Sequence, residues 1–198
     1  MKKLLLAGLL LFSISLAAQK RLAYSILTGP GWMQPFSGLK DGSAVRSQIG
    51  WTAACEVSFE IARRWDFKTT LQYHQAKLVA AQGNPLPAIN LESSAWHYSF
   101  GTRWYCTPPG IWRWYVDAGL GTLLYSQEER PSRGSRYFTG GLGFGLQWLP
   151  PEKQFGPFMQ PMLRYATCYQ GRKLICNQDI VLPSLEIGLR AVLFKSNN

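Results

Sequence analysis

The chain has 198 residues, of which 46% are hydrophobic and only 16% charged, and it contains 8 Trp, 9 Tyr, 10 Phe and 19 Gly. Its formal net charge is +10. So few charges beside so many aromatic residues and glycines are unusual for a soluble secreted domain and typical of a membrane β-barrel.

The first 18 residues have the pattern of a secretory signal peptide. Lys2 and Lys3 precede an apolar run over residues 4–16, and Ala17 and Ala18 supply a small-residue cleavage site. No later apolar run is about 18 residues long, so no transmembrane helix is expected. We predict a signal peptide at 1–18 and a single outer-membrane domain at 19–198.

The rest of the chain alternates between apolar and polar residues with the period of two that is typical of β-strands. In residues 47–62, Trp51 and Cys55 fall on one face and Glu56 and Glu60 on the other. The same pattern recurs in seven further segments, at residues 22–28, 67–79, 96–106, 112–124, 138–148, 157–169 and 181–193. Eight strands, each with one apolar and one polar face, are therefore predicted.

The connections between these segments alternate in length. Residues 29–46, 81–93, 126–136 and 170–179 form long polar links, and residues 63–66, 107–111 and 150–156 form short turns. Outer-membrane barrels place long loops outside the cell and short turns in the periplasm. The fold class predicted is all-β, an eight-stranded antiparallel up-and-down transmembrane β-barrel with both termini in the periplasm.

Side-chain size indicates which face lines the barrel. A bore of eight strands has little room, and the polar face carries most of the strand glycines, whereas the apolar face carries most of the tryptophans. We therefore expect a polar lumen and a lipid-facing apolar wall; a soluble lipocalin-like barrel or β-sandwich would bury the apolar face instead. Five tryptophans beside the short turns are expected to form an aromatic girdle: Trp65, Trp104, Trp112, Trp114 and Trp148.

These features resemble the small PorT-like outer-membrane β-barrel family. The resemblance is carried by the signal peptide, the eight amphipathic strands and the terminal alternation of Leu185, Ile187, Leu189 and Leu193 that ends at Phe194. It covers nearly all of the mature chain and implies an architecture rather than an activity. Barrels of this kind usually end in an aromatic assembly signal, whereas four more residues follow here.

Charged residues on the predicted lumen face are expected to form an ion-pair network, since a buried charge is costly unless it is paired. Its predicted members are Glu56, Glu60, Lys68, Arg103, Arg113, Asp117, Arg164, Glu186 and Arg190. We expect Asp117 to pair with Arg103 or His97, and Glu186 to pair with Arg164. Such a network would plug the bore; an ion path or relay along it is the alternative.

His97 and Ser99 share a strand face, as a base and a nucleophile of a lipid-modifying hydrolase would, with Asp117 as a candidate to orient the imidazole. Their parity places both in the lumen, away from lipid acyl chains, so no catalytic site is expected. His74 is interpreted as a hydrogen-bonding lumen residue. Two histidines on separate strands and no close cysteine pair indicate no metal site, and no cofactor is expected.

The four cysteines divide into two pairs. Cys168 and Cys176 flank the last loop, and a disulfide between them would close its base in an oxidising compartment. Cys55 and Cys106 are expected to face lipid as free thiols.

The outer loops are predicted to be mildly positive. The charges assigned to them are Lys40, Asp41, Arg46, Lys77, Glu92, Glu128, Glu129, Arg130, Arg133, Arg136, Arg172, Lys173 and Asp179. Such a rim suits lipopolysaccharide phosphates, and the aromatic loop at residues 30–36 suits an envelope protein partner. Nucleic-acid binding is disfavoured because the bases are scattered.

The function predicted is that of a non-enzymatic envelope scaffold, adhesion or assembly component in the outer membrane. A small-solute channel or transporter and a lipid-modifying hydrolase are the alternatives.

Overall fold

The computed structural model describes residues 21–35, 44–81, 89–127, 135–150, 153–170 and 179–195, so the predicted signal peptide lies outside the described residues. It consists of ten strands, β1 Arg21–Gly31, β2 Gln34–Pro35, β3 Ala44–Ser47, β4 Gly50–Ala62, β5 Trp65–Ala81, β6 Ile89–Tyr105, β7 Trp112–Gln127, β8 Ser135–Trp148, β9 Phe155–Gln170 and β10 Ile180–Lys195. Within these ranges, no helix has the length and hydropathy needed to cross a membrane.

The strands form one closed antiparallel sheet. Each long strand pairs with the next, and β1 pairs with both β4 and β10, which closes the ring. Both β3 and β4 pair with β5, and β2 pairs with β10 beyond the end of β1. The two short strands therefore extend their neighbours, and the predicted eight-stranded antiparallel barrel is confirmed.

The two walls of the barrel differ as the alternation predicts. Along β4, Trp51 and Cys55 are exposed on the outer wall, whereas Glu56 and Ser58 are buried in the bore. Large apolar side chains are exposed on the outer wall of every long strand. A soluble barrel or sandwich would bury that apolar wall, so this burial pattern excludes both alternatives.

Aromatic side chains form two bands on the outer wall. Near the short turns, the rings of Trp65 and Trp104 are 6.2 Å apart. Near the other end, Tyr73 lies 5.6 Å from Trp51 and 5.0 Å from Trp96. Trp96 and Trp104 are about 27 Å apart along β6 at the usual rise per residue. At the strand tilt of about 40° that outer-membrane barrels have, this is a height of about 21 Å, close to their apolar band of about 25 Å.

The two ends of the barrel are named here by their connections. The turn end holds the short connections at 63–64, 106–111 and 149–154, together with the start of β1 and the end of β10. The loop end is the opposite one. At the first short turn, Arg64 has a φ of 73°. This is the left-handed region, which residues other than glycine rarely adopt.

Several strands run further toward the loop end than the alternation predicts. Lys77 lies on β5 directly opposite Glu92 on β6, and Arg46 and Arg136 lie on β3 and β8. The assignment of these four residues to loops was therefore wrong. Beyond the apolar band a strand no longer needs an apolar outer face, so the alternation fades while the hydrogen-bond ladder continues.

Candidate functional site: the charged lumen

In the described part of the chain, the middle of the bore and its turn end hold eight buried charged side chains. Their outward neighbours on each strand face away from the bore, because successive side chains of a strand alternate between the two walls. Four of the eight are acidic and four basic: Glu56, Asp66, Asp117, Glu186, Lys68, Arg103, Arg164 and Arg190.

A central tetrad joins two of the acids to two of the bases. Lys68 Nζ lies 3.2 Å from Glu56 Oε2 and 2.5 Å from Asp117 Oδ2. Arg103 contacts the same carboxylates, with Nη1 3.0 Å from Glu56 Oε1 and Nε 2.9 Å from Asp117 Oδ1. The Arg103 guanidinium also lies 4.3 Å from the centre of the Tyr115 ring. Each cation bridges both acids. Because the tetrad has two acidic and two basic side chains, its charges cancel.

Glu186 forms the centre of a second cluster, toward the loop end. Arg164 Nη2 lies 2.8 Å from its Oε1. The Nε2 atoms of Gln72 and Gln160 donate hydrogen bonds of 2.8 and 2.7 Å to its two oxygens. Gln160 Oε1 in turn accepts a 3.3 Å hydrogen bond from Arg103 Nη2, which connects this cluster to the central tetrad.

A third cluster lies near the turn end. Arg190 Nη2 is 2.5 Å from Asp66 Oδ2 and donates a 3.0 Å hydrogen bond to Ser58 Oγ. The Tyr105 hydroxyl donates a 3.0 Å hydrogen bond to the same oxygen of Asp66. The charged lining therefore continues from the centre of the barrel to this end.

Many of these contacts cross the bore rather than run along its wall. Lys68 and Asp117 lie on β5 and β7, which are not neighbours in the sheet. Contacts from β5 also reach β10 on another side of the bore, from Gln72 to Glu186 and from Asp66 to Arg190. Beside the network lies a cavity of about 20 Å³, which is room for about one water molecule.

The loop end of the bore is filled by apolar side chains, where the sequence analysis expected a polar lumen throughout. The buried cluster consists of Met33, Ala76, Leu78, Ala95, Leu123, Tyr125, Tyr137, Ala166, Ile180 and Leu182. That expectation was wrong for this region. The strands here carry apolar residues on both faces, so hydropathy alone does not separate the lumen from the outer wall.

Seven of the nine predicted network residues belong to these clusters. Of the partners expected for Asp117, Arg103 contacts it, and the Glu186–Arg164 contact also forms. The other two, Glu60 and Arg113, are only half-buried. Neither makes an ion pair with a described residue, although the Arg113 guanidinium lies 5.4 Å from the centre of the Tyr105 ring.

Several members of the network were not predicted from the sequence. Asp66 was assigned to a turn, but it lies on β5 and shares the inward parity of Lys68. That parity was the signal that would have found it. Gln72 and Gln160 are uncharged, and their role as links between clusters follows only from the closed barrel.

The predicted histidine and serine do not form a catalytic arrangement. His97 Nε2 lies 2.9 Å from Thr139 Oγ1, and no hydrogen bond joins His97 to Ser99 in the described part of the chain. Asp117 is engaged by Arg103 and Lys68 instead of orienting the imidazole. Among the residues that the structure describes, no three His, Cys, Asp or Glu side chains come together as metal ligands.

Of the cysteines, Cys55 and Cys106 are exposed free thiols. Cys168 packs against the apolar cluster of the loop end. Because Cys176 lies outside the described residues, the disulfide between them stays a prediction.

Solved structures that share this fold include two outer-membrane or surface proteins. The outer membrane protein OprG from Pseudomonas aeruginosa aligns with a TM-score of 0.55 and 13% identity, over 89% of this chain and 98% of that chain. Neisserial surface protein A aligns with a TM-score of 0.52 and 12% identity, over 85% and 97%. No protein-family model and no curated protein matches the chain, and the resemblance to the PorT-like family stays a prediction. The chain thus has the closed eight-stranded fold found in small outer-membrane β-barrel proteins.

Proposed function

We propose that the protein is an outer-membrane barrel with a closed bore that serves as a non-enzymatic scaffold, adhesion or assembly component of the envelope. The exposed apolar wall and its two aromatic bands support a position in a bilayer. The fold shared with an outer membrane protein and a neisserial surface protein supports the outer membrane as that bilayer.

The cross-bore charge network is the observation that carries this proposal over a channel. A permeating solute would have to separate Lys68 from Asp117 or Gln72 from Glu186, because these contacts lie across its path. Removing one partner of a buried ion pair typically costs about 3–5 kcal/mol. The apolar cluster that includes Leu123 and Tyr137 adds a second obstruction at the loop end.

Conductance across a planar bilayer tests the closed bore. The full chain is refolded in detergent, its folded state is checked by heat-dependent gel mobility, and it is inserted into a lipid bilayer in salt solution. We expect no steady current above the lipid background. A steady ohmic current that scales with the number of inserted barrels would overturn the proposal.

A matched pair of variants shows whether any current runs through the bore. Gln72→Ala shortens a cross-bore side chain, whereas Leu71→Ala shortens its outward neighbour on the same strand. Current in the wild type that rises in Gln72→Ala and stays constant in Leu71→Ala would identify the bore as its path. Background current alone in all three proteins supports a plugged scaffold.

The outer loops are the expected contact surface for partners. We propose that they contact lipopolysaccharide phosphates or an envelope protein. Most of their charges lie outside the described residues, namely Lys40, Asp41, Glu128, Glu129, Arg130, Arg133, Arg172 and Lys173. Crosslinking in intact envelopes through a photoreactive residue at position 130, with position 63 in a short turn as the control, tests it. We expect adducts from position 130 only; adducts from position 63 alone would contradict it.

A further inference from the structure

Two arginines flank one tyrosine ring at the turn end of the barrel, and a third arginine lies near them. The guanidinium carbons of Arg113 and Arg190 lie 5.4 and 5.9 Å from the centre of the Tyr105 ring. Arg21, the first residue of β1, lies close enough to both arginines to be repelled by them. We call Arg21, Arg113 and Arg190 the turn-end arginine cluster.

The described residues offer this cluster little negative charge. Asp66 accepts hydrogen bonds from Arg190 and from the Tyr105 hydroxyl through the same oxygen. Glu60 is the other nearby acid on the lumen face; it is half-buried and makes no ion pair within the described ranges. Among the described residues, only Arg190 of the three cations is therefore directly bonded to a carboxylate.

Several buried donors of the cluster have no acceptor among the described residues. They are Arg21 Nε, Arg113 Nε, Arg190 Nε, Arg190 Nη1 and Gln147 Nε2. Gln147 is buried and lies directly opposite Arg113 in the sheet, so its amide belongs to the same group of donors. A buried donor left without an acceptor costs about 1–3 kcal/mol, and more when it is charged.

The central tetrad shows how the barrel treats an arginine that its own acids neutralise. All three nitrogens of the Arg103 guanidinium lie within 3.3 Å of a carboxylate or amide oxygen. The turn-end cluster has the opposite arrangement, since its cations converge while their donors stay without acceptors. This contrast indicates a site for an anion from outside the chain rather than a further structural ion pair.

We propose that the turn-end arginine cluster, together with Gln147, binds a small oxyanion, a phosphate or a carboxylate group. Guanidinium groups present paired donors that match such oxyanions, and charge-assisted hydrogen bonds of this kind are about twice as strong as neutral ones. Arg21 and Arg113 are only partly buried, so an anion reaches the cluster from the turn end. In the proposed orientation that end faces the periplasm, and the ligand is a periplasmic phosphate or the carboxylate of a periplasmic molecule.

Equilibrium dialysis of the refolded full chain in detergent tests the site. The probes are labelled inorganic phosphate and labelled acetate, each at constant ionic strength set with chloride. We expect saturable binding of one anion per barrel, and the tighter of the two probes distinguishes a phosphate from a carboxylate ligand. Binding of neither probe above the chloride background would overturn the proposal.

Matched variants separate this site from general surface charge. Arg113 makes no ion pair with any described residue, so Arg113→Gln should fold and weaken binding at least tenfold; Arg21→Gln should act in the same direction. Lys153→Gln removes an exposed charge at the same end of the barrel and should leave binding unchanged. Equal weakening in the Lys153 and Arg113 variants would show a diffuse charge effect and reject the site.

Glu60→Gln provides a test in the opposite direction. If the cluster takes an external anion, removal of this nearby carboxylate should tighten phosphate binding several-fold. If Glu60 is instead the acceptor of the arginines, the variant should unfold at lower urea and the wild-type chain should bind no phosphate. That second result would overturn the proposal while leaving the closed bore untouched.

Discussion

The central bore and the loop end fill the same barrel in different ways. In the centre, Lys68 and Arg103 bridge Glu56 and Asp117 through contacts of fixed direction. At the loop end, Leu123 and its neighbours fill the space by packing, which has no preferred direction. One narrow interior can therefore be closed either by matched charges or by packed volume. The stability of the two regions responds differently to substitution.

The stability of the charged region depends on every buried charge keeping its partner. A carboxylate that loses its cation there stays buried and is not rehydrated at low cost. The apolar region loses only contact area and cavity energy when a side chain is shortened. Substitutions in the two regions should therefore differ in size and in how they combine.

The largest loss of stability is expected for Arg103→Met. Of the cations in the described ranges, it leaves Lys68 alone in contact with Glu56 and Asp117, so the free energy of unfolding should fall by about 3–5 kcal/mol. Urea unfolding of the refolded barrel in lipid vesicles, followed by tryptophan fluorescence, measures this. Arg63→Met in the exposed turn is the control and should stay within about 0.5 kcal/mol. Equal effects of the two variants would contradict the expectation that the charged bore depends on Arg103.

Leu123→Ala should have the next largest effect. Leu123 is fully buried in the loop-end cluster, and truncation of a buried leucine costs at least about 2 kcal/mol, so we expect about 2–3 kcal/mol. Leu124→Ala is the matched control, because Leu124 is exposed on the outer wall, where lipid fills the space. The same urea measurement applies, and a larger loss for Leu124 would reverse the assignment of the two walls.

A double-mutant cycle on Arg164 and Glu186 measures the interaction energy of one charge pair in the bore. Arg164→Met alone leaves the Glu186 carboxylate without its cation, whereas Arg164→Met with Glu186→Gln removes both charges. The double variant should be more stable than the sum of the single effects by about 1–2 kcal/mol. Additive effects would show that Arg164 and Glu186 have no measurable interaction energy.

The smallest expected effect lies outside both regions, at Arg64. Its φ of 73° costs a side chain other than glycine about 1–2 kcal/mol, and glycine offsets part of that gain through its entropy. Arg64→Gly should therefore raise the free energy of unfolding by about 0.5 kcal/mol. Arg63→Gly, at the adjacent turn position, should give no gain, and a gain there of equal size would count against this reason.

The period of two was enough to predict the barrel and the direction of most charged side chains. Glu56, Lys68, Arg103 and Asp117 follow from it, because a charge on a transmembrane strand is tolerated only on the lumen side. The choice of partners did not follow, since Lys68 meets Asp117 across two strand boundaries. That juxtaposition depends on how the strands stagger when the ring closes.

The two ends of the bore were the least predictable. The parity of β7 places Leu123 on the bore side with Asp117, but because Leu123 and Leu124 are both apolar, hydropathy gave no sign that the bore becomes apolar at this end. Asp66 directly follows a turn and was assigned to that turn, although it shares the inward parity of Lys68. The arginine cluster joins the start of β1 to β7 and β10, a proximity that exists only in the closed barrel.

The cross-bore hydrogen bonds also have a consequence for assembly. Arg190 contacts Asp66 and Ser58, which precede it by 124 and 132 positions, and Glu186 contacts Gln72 at a separation of 114. Every one of these bonds requires β10, so a barrel that β10 has not joined leaves Asp66 and Arg164 without their ionic partners. Pairing of β10 with its neighbours supplies both partners at once, so neutralisation of the bore depends on completion of the ring.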